Sequence, residues 1–501
     1  MESFFVKVIK MKLWKKMLSV FCLGGISVFS FPPFHIVGVL WIIFPLVLLL
    51  LDSVQNKKQS FFLGYTFGAG MFISSMYWIY NPLTTMDYQF AWLIPFAYIG
   101  LALWGGLFSA VTFLITKLFK KPFMKIVVFA LVWTVCEIIR SNFPFGGIAW
   151  NTMATVWTDK VQVAQIVAII GAYGLTLITI FMVSLPFIMT REAAGVSVAI
   201  LLLLYVFGQF RIAAHPIEYK EGVNIRIVQS NISQDMKYSP QYMREILQKQ
   251  LSLSLENSDN ISHVIWTETS WPYYWDNGNN DSMFQHATDI FPENTVFITG
   301  VLKKDGNSVF NSVVAVKNTE ILNSYDKFHL VPFGEYVPLR KIIPIEKIVQ
   351  VPGDFSAGIG PRTIDISGLG NTSVLICYEI IFSGNVVDRV NHPDLILNIT
   401  NDKWFGDTAA PHQHYANAVL RAIEEGVPVI RAANSGISGA IAPTGITIAK
   451  LGVNNIGYLD IKMPRKIQDK TIFSNYGYSI LYTIMLIISI VASITFYKQR
   501  Q

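Results

Sequence analysis

Three side chains of this 501-residue sequence could do covalent chemistry together. Cys377 closes the apolar run Ser373–Ile376 and is followed by Tyr378 and Glu379. Glu268 closes Val264-Ile265-Trp266-Thr267. Lys327 follows Tyr325-Asp326 and leads into a Pro/Gly turn that ends at Glu335. A thiol is a weak nucleophile until its proton is taken. A carboxylate can accept that proton, and a lysine can stabilise the oxyanion of a tetrahedral intermediate. The same cation favours the thiolate. The set suits acyl transfer through a cysteine. A cysteine alone is as readily a small buried hydrophobe; the company of Glu268 and Lys327 at other strand ends tips the reading toward chemistry.

The elements that must hold these groups read as α/β. Short β-branched runs at Asn224–Val228, His263–Thr267, Thr295–Val301, Ser312–Val316, Ser373–Cys377, Leu395–Thr400 and Pro428–Arg431 are expected strands. Continuous apolar stretches such as Val374-Leu375-Ile376 predict burial on both faces. Residues 240–256 predict a helix with Met243, Leu247 and Leu251 on one face. Residues 411–425 predict another, with Tyr415, Val419 and Ile423 inward and Glu424-Glu425-Gly426 at its end. Gly445 marks a turn between late strands. Strands interleaved with helices make a layered domain.

The rest of the chain is a different material. The whole is 52% hydrophobic and only 14% charged, against about 25% charged in an ordinary soluble domain. That excludes a purely soluble protein and a disordered one, and three cysteines exclude a disulfide scaffold. Residues 214–477 hold 22 Lys and Arg against 27 Asp and Glu, a net −5, and the remainder carries +11 of the chain's +6. Apolar segments at 13–31, 34–51, 60–80, 90–116, 124–140, 161–189, 195–212 and 478–497 approach the roughly 20 residues a spanning helix needs. The expected division is a seven-helix membrane domain at 1–212, a catalytic domain at 213–477 and a last spanning helix with a short tail at 478–501.

Orientation follows from loop lysines and arginines. Fourteen of the seventeen outside the polar block fall on one side of an eight-helix count; Arg140, Lys160 and Arg211 are the exceptions. Both termini are then cytoplasmic and the polar domain lies outside. Cys377 is the single cysteine of that domain, in a compartment that favours disulfides, yet it has no partner within it. The first segment is expected to be a retained anchor, because Ser19-Val20-Phe21 is too bulky for a cleavage site.

Weaker signals are weighed in the same way. Glu137 and Arg140, three apart in the fifth segment, read as an interfacial pair, though an ionisable residue at that depth raises a functional alternative. Trp78, Tyr80, Trp92, Trp150 and Trp157 read as an aromatic belt, with the lining of a lipid entry route as the alternative. His412 and His414, two apart on a helix, point in different directions and form no metal site; no cofactor or metal is expected. No nucleotide fingerprint is present, and the basic excess is explained by topology rather than by nucleic acid. The apolar stretch 342–351 is expected to be a mobile lid that touches the bilayer, with a core-packed segment as the alternative.

At this point the sequence resembles a known family, the apolipoprotein N-acyltransferases, which are membrane-embedded members of the nitrilase superfamily. The resemblance covers essentially the whole chain. It rests on Trp266-Thr267-Glu268-Thr269, on Lys327-Phe328-His329-Leu330-Val331-Pro332-Phe333-Gly334-Glu335, on Ile376-Cys377-Tyr378-Glu379-Ile380, on Asn401-Asp402-Lys403-Trp404-Phe405-Gly406 and on Arg431-Ala432-Ala433-Asn434-Ser435-Gly436-Ile437. It implies an eight-helix membrane bundle with an αββα nitrilase-like sandwich. It implies Glu268 as general base, Lys327 as oxyanion stabiliser and Cys377 as nucleophile, supported by Glu335, Tyr378 and Glu379. The implied donor is a membrane phospholipid, and the implied acceptor is the α-amino group of a diacylglyceryl-cysteine at an apolipoprotein N-terminus. The implied location is the bacterial inner membrane, with the site on the periplasmic face of a monomer. One departure is Tyr238, where the family often has tryptophan. Two other classes stand beside this reading: a membrane-tethered amidase or nitrilase, for which eight helices are excessive, and a transporter, against which the scarcity of ionisable residues in the segments weighs.

Overall fold

Each of the eight apolar segments forms a helix in the computed structural model, which describes residues 10–85, 91–237, 239–276, 289–342, 347–349, 351 and 353–499. The helices are Leu13–Ile26, Leu40–Asp52, Lys57–Ser75, Ile94–Thr116, Pro122–Arg140, Val167–Ser184, Arg191–Ala214 and Ser479–Lys498. Among the described residues, six are long and apolar enough to cross a membrane. Leu40–Asp52 is too short, and Lys57–Ser75 opens on Lys57, Lys58, Gln59 and Ser60. The expected span at 161–189 is not one helix. Gly171 sits at φ +68° and ψ 176° and interrupts it, a conformation glycine adopts without a Cβ clash.

Glu137 and Arg140 are buried within the helical unit, 3% and 4% exposed. One reading of that unit is corrected. Trp78, Trp150 and Trp157 are also buried and form no outward belt. The Trp78 and Trp150 rings lie 4.8 Å apart, and Trp157 Nε1 donates to Thr179 Oγ1 at 2.8 Å. Only Tyr80 and Trp92 of that set are exposed. Indole rings with a hydrogen-bond partner inside a bundle gain as much by packing as at an interface.

Chain contacts divide the molecule into a helical unit and a second unit comprising residues 81–91 and 215–474. The short segment 81–91 belongs to the latter, and Asn81 Nδ2 donates to Phe405 O at 2.8 Å.

The second unit contains two sheets. The strands are β1 (Tyr219–Gln229), β2 (His263–Ile265), β3 (Tyr274–Asp276), β4 (Val296–Asp305), β5 (Ser308–Lys317), β6 (Glu320–Asp326), β7 (Thr363–Ile366), β8 (Gly370–Ile376), β9 (Leu395–Thr400), β10 (Val429–Ala433), β11 (Ser438–Ile441), β12 (Thr447–Leu451) and β13 (Gly457–Pro464). One sheet runs β13-β1-β2-β4-β5-β6, with β3 beside β4, and the other runs β12-β11-β10-β9-β8-β7. β1, β2 and β4 are mutually parallel, as are β8, β9 and β10. The sheets meet where β1 faces β10 and β5 faces β8. This is the expected αββα layering.

Helices cover the sheets. Met243–Leu255 buries Ile246, Gln250 and Ser254 most deeply, while Leu247 and Leu251 pack at the flank against Trp266, Phe297 and Val314. The inward face is thus rotated from the expected one, because Gln250 donates to Ser270 O and Ser254 accepts from Trp266 Nε1. Ala410–Glu425 is buried on nearly every side rather than one.

Of the expected lid, residues 343–346 and 350 lie outside the described residues, as does Tyr238. Val349 and Val351 are core, packed with Leu302, Leu330 and Phe355, and Val349 N donates to Gly334 O at 3.1 Å. Ile342 is exposed.

Candidate active site

The carboxyl ends of the strands bring the candidate residues together. Glu268 follows β2, Lys327 follows β6, Cys377 follows β8 and Asn401 follows β9. In open α/β sheets this edge is where ligands bind, because side chains there are aimed by rigid strands and yet can face a cavity.

Glu268 is buried, 6% exposed. Its Oε1 accepts from Asn311 Nδ2 at 2.8 Å and its Oε2 from the Asn401 N–H at 2.8 Å. Gly300 of β4 makes this placement possible. A Cβ there would lie 2.4 Å from Thr269 N, 2.6 Å from Thr267 O and 2.8 Å from the Glu268 Cα. Lys237, also buried, donates to the Glu268 carbonyl at 2.7 Å. Burial lowers its pKa to about 8 against the opposing pull of Glu268 and Cys377.

Lys327 is 1% exposed. Its Nζ lies 2.9 Å from Glu335 Oε1 and 3.5 Å from Glu268 Oε1. Burial pushes the ammonium pKa down, but the carboxylates of Glu335 and Glu268 more than reverse this and hold it well above its ordinary value. The lysine is a fixed cation. Glu335 is itself held, with Val331 N–H on Oε2 at 2.8 Å and Asn311 Nδ2 on Oε1 at 3.0 Å. Asn311 thus bridges two carboxylates that would otherwise repel.

Cys377 stands at a turn between β8 and a short 3₁₀ segment, Cys377–Ile381, with φ +55°. Such a conformation costs about 1–3 kcal/mol in a residue with a Cβ and persists where surrounding structure enforces it. The Lys327 cation favours the thiolate, as expected, but is outweighed. Burial and the Glu268 carboxylate raise the thiol pKa well above its ordinary value, outweighing Lys327 and a hydrogen bond with Thr400. The thiol rests protonated, so a base is required.

The supporting residues have distinct places. Glu379 is fully buried. Its Oε1 accepts the N–H groups of Phe328 at 2.8 Å and His329 at 3.0 Å. Its Oε2 accepts the Ile376 N–H at 2.7 Å and the Tyr325 hydroxyl at 3.2 Å. One carboxylate therefore ties the strand end that carries Cys377 to the turn that carries Lys327. Burial raises its pKa to about 7 against those hydrogen bonds. Tyr378 lies edge-on to His329 and Phe382, at 5.4 Å and 4.9 Å. Sequence reasoning missed Asn311 and Lys237. Lys237 stands in the stretch Gln234–Tyr238 and Asn311 just before the expected strand Ser312–Val316, but neither position marked a role in the site.

Two sheets with a cysteine, a lysine and carboxylates gathered at their strand ends define a domain of the carbon–nitrogen hydrolase class. Residues 264–469 match the family model described as carbon-nitrogen hydrolase, and residues 23–185 match that of the apolipoprotein N-acyltransferase N-terminal domain. The chain is 33% identical over 498 residues to the apolipoprotein N-acyltransferase of Rhodopseudomonas palustris, covering 93% of this chain and 92% of that one. It is 31% identical over 497 residues to the protein of that name from Bradyrhizobium diazoefficiens, with the same coverage. It is 31% identical over 496 residues to that of Rickettsia typhi, covering 95% and 98%. The chain belongs to the apolipoprotein N-acyltransferase family of membrane acyltransferases.

Proposed function

We propose that this enzyme moves a fatty acyl chain from a membrane phospholipid to the N-terminal amine of a diacylglyceryl-modified apolipoprotein, by way of a Cys377 thioester. In the first half, Glu268 takes the Cys377 proton and the sulfur attacks the ester carbonyl. Lys327 stabilises the oxyanion. Collapse breaks the ester C–O bond, the alkoxide takes the proton from Glu268, and a lysophospholipid leaves. In the second half, the acceptor amine attacks the thioester, Glu268 takes its proton, and the C–S bond breaks. The proton returns to sulfur, and the product is an amide.

The observation that carries this reading is the pairing of Lys327 with two carboxylates, at 2.9 Å and 3.5 Å, at the strand edge that also holds the protonated Cys377. The whole-chain likeness to proteins named for apolipoprotein N-acylation supports the substrates. The burial of Cys377, 7% exposed, suits a thioester that must be kept from water. The loop lysines support a periplasmic site with cytoplasmic termini in the inner membrane, and a monomer suffices, since one chain supplies every named group.

Intact mass of the purified protein with phospholipid tests the proposal. An acyl adduct on the wild type and none on Cys377→Ala is expected; no adduct on the wild type, with acceptor withheld, overturns it. Adding a diacylglyceryl-peptide then separates transfer from the hydrolysis that a tethered amidase would show.

A further inference from the structure

A closed ring of buried polar groups lies beneath the nucleophile, and the chemistry above uses none of it. The Cys377 carbonyl accepts two hydrogen bonds, from Asn398 Nδ2 at 3.2 Å and from His414 Nε2 at 3.2 Å. A carbonyl oxygen can only accept, so the proton of that second contact belongs to His414. The other imidazole nitrogen, Nδ1, lies 2.8 Å from Asp402 Oδ1 and 3.0 Å from Arg431. Arg431 reaches the second Asp402 oxygen at 2.8 Å and donates to Asn398 Oδ1. Asn398 returns to the Cys377 carbonyl and closes the ring. Thr400, a hydrogen-bond partner of the thiol, also donates to Asp402 Oδ1 at 3.0 Å.

Every side chain in the ring is shielded from water; Asn398, Asp402, His414 and Arg431 are all 0% exposed. They come from β9, its following turn, β10 and the helix Ala410–Glu425. The ring therefore fixes the Cys377 carbonyl from two elements at once, through Asn398 of β9 and His414 of the helix, at the one residue of the strand end with positive φ. Buried networks of this kind are rigid when every member is satisfied.

We infer that His414 is a positioning residue for the nucleophile: its Nδ1 accepts from Arg431, which Asp402 holds in place, and its Nε2–H pins the Cys377 carbonyl and keeps the thiol presented in its left-handed turn. It touches neither the substrate nor the reacting sulfur and acts through the Cys377 main chain. Acylation and deacylation each pass through a tetrahedral centre at the acyl carbon bonded to the Cys377 sulfur, so a turn that relaxed between them would misplace the attack. The inference rests on Cys377 being the acylated residue.

The test compares His414→Gln with His414→Asn by rapid quench and intact mass, using phosphatidylglycerol in detergent micelles. The glutamine amide nitrogen falls near imidazole Nε2 and retains the donor; the shorter asparagine does not reach. His414→Gln is expected to acylate Cys377 within about 5-fold of wild type. His414→Asn is expected to lose about 100-fold in kcat, the scale of a misplacement of about 1 Å, with KM unchanged. Asp402→Asn, which leaves His414 in place but loosens it, is expected to lose kcat alone and gives a second arm should His414→Asn fold poorly. Equal losses in the two His414 variants, or no loss in either, overturn the inference. Absence of an adduct on the wild type would instead overturn the Cys377 reading.

Discussion

The Lys327 ammonium lies 2.9 Å from Glu335 and 3.5 Å from Glu268. The tighter bond goes to the carboxylate with no proposed proton-transfer role. Glu335 thus fixes the cation while Glu268 stays available as a base. Glu335→Gln keeps the shape but loses the charge that holds the lysine. It is expected to lower kcat for Cys377 acylation about 100-fold, within the range for removing one element of an oxyanion site, with little change in KM. Lys327→Arg is expected to be as damaging, because a planar fork does not replace a point donor. Rapid-quench acylation rates check both.

Glu379 makes a prediction about pH. Its carboxyl titrates at about 7 in the folded protein, against 4.5 ordinarily. Between those values the folded chain holds a proton that the unfolded chain has released. The contribution of Glu379 to native stability must therefore fall as pH rises from about 4.5 to about 7 and be level on either side. The full effect is roughly 3 kcal/mol. Thermal melts of wild type and Glu379→Gln in detergent across that window test this. The wild type should lose ground relative to the variant as pH rises; a constant difference would show that Glu379 does not titrate there.

Gly300 offers a purely steric test. The atoms a Cβ would meet are main-chain atoms of Thr267, Glu268 and Thr269, which cannot swing aside as a side chain can. Gly300→Ala is expected to push the end of β2 away and move Glu268 from Asn311 and Asn401. Overpacking of this kind costs about 1–3 kcal/mol, and acylation is expected to drop about 100-fold. Ala315→Gly on neighbouring β5 serves as a control for stability alone. A Gly300→Ala enzyme with wild-type turnover would show that the position of Glu268 tolerates the shift.

Glu268, Lys327 and Cys377 were legible because each ends or follows a strand-like run with a reactive side chain. The strand that carries Cys377 was legible for the same reason: Val374-Leu375-Ile376 is a continuous apolar run. β12 was not, since Thr447–Leu451 is half-exposed and mixes polar with apolar residues without strict alternation. His414 looked like an isolated helix histidine because its partners, Asp402 and Arg431, approach from other elements. The tryptophans at 78, 150 and 157 misled for the opposite reason. Hydropathy places a residue along the membrane normal but is silent on whether it faces lipid or protein.

Glu137 and Arg140 give the last prediction. The Arg140 guanidinium donates to the carbonyls of Ile148 at 2.9 Å, Trp150 at 2.7 Å and Asn151 at 3.1 Å. Glu137 accepts from Thr176 Oγ1 at 2.8 Å and from the Met153 N–H. The carboxylate and guanidinium are 3.7 Å apart. Every one of these partners belongs to the same helical unit, and most lie in the loop that follows the Pro122–Arg140 helix. The pair therefore reads as a clasp on that loop, not as a relay. Removing one partner from a buried pair leaves the other uncompensated, at about 3–5 kcal/mol. Arg140→Met is expected to lower the melting temperature and the yield, while each folded molecule acylates Cys377 at the wild-type rate. Glu137→Gln, which keeps one acceptor for Met153, is expected to cost less. The double variant should be better than the sum of the two single losses, since neither charge is then stranded. A fall in turnover with the melting temperature unmoved would place the pair in the chemistry instead.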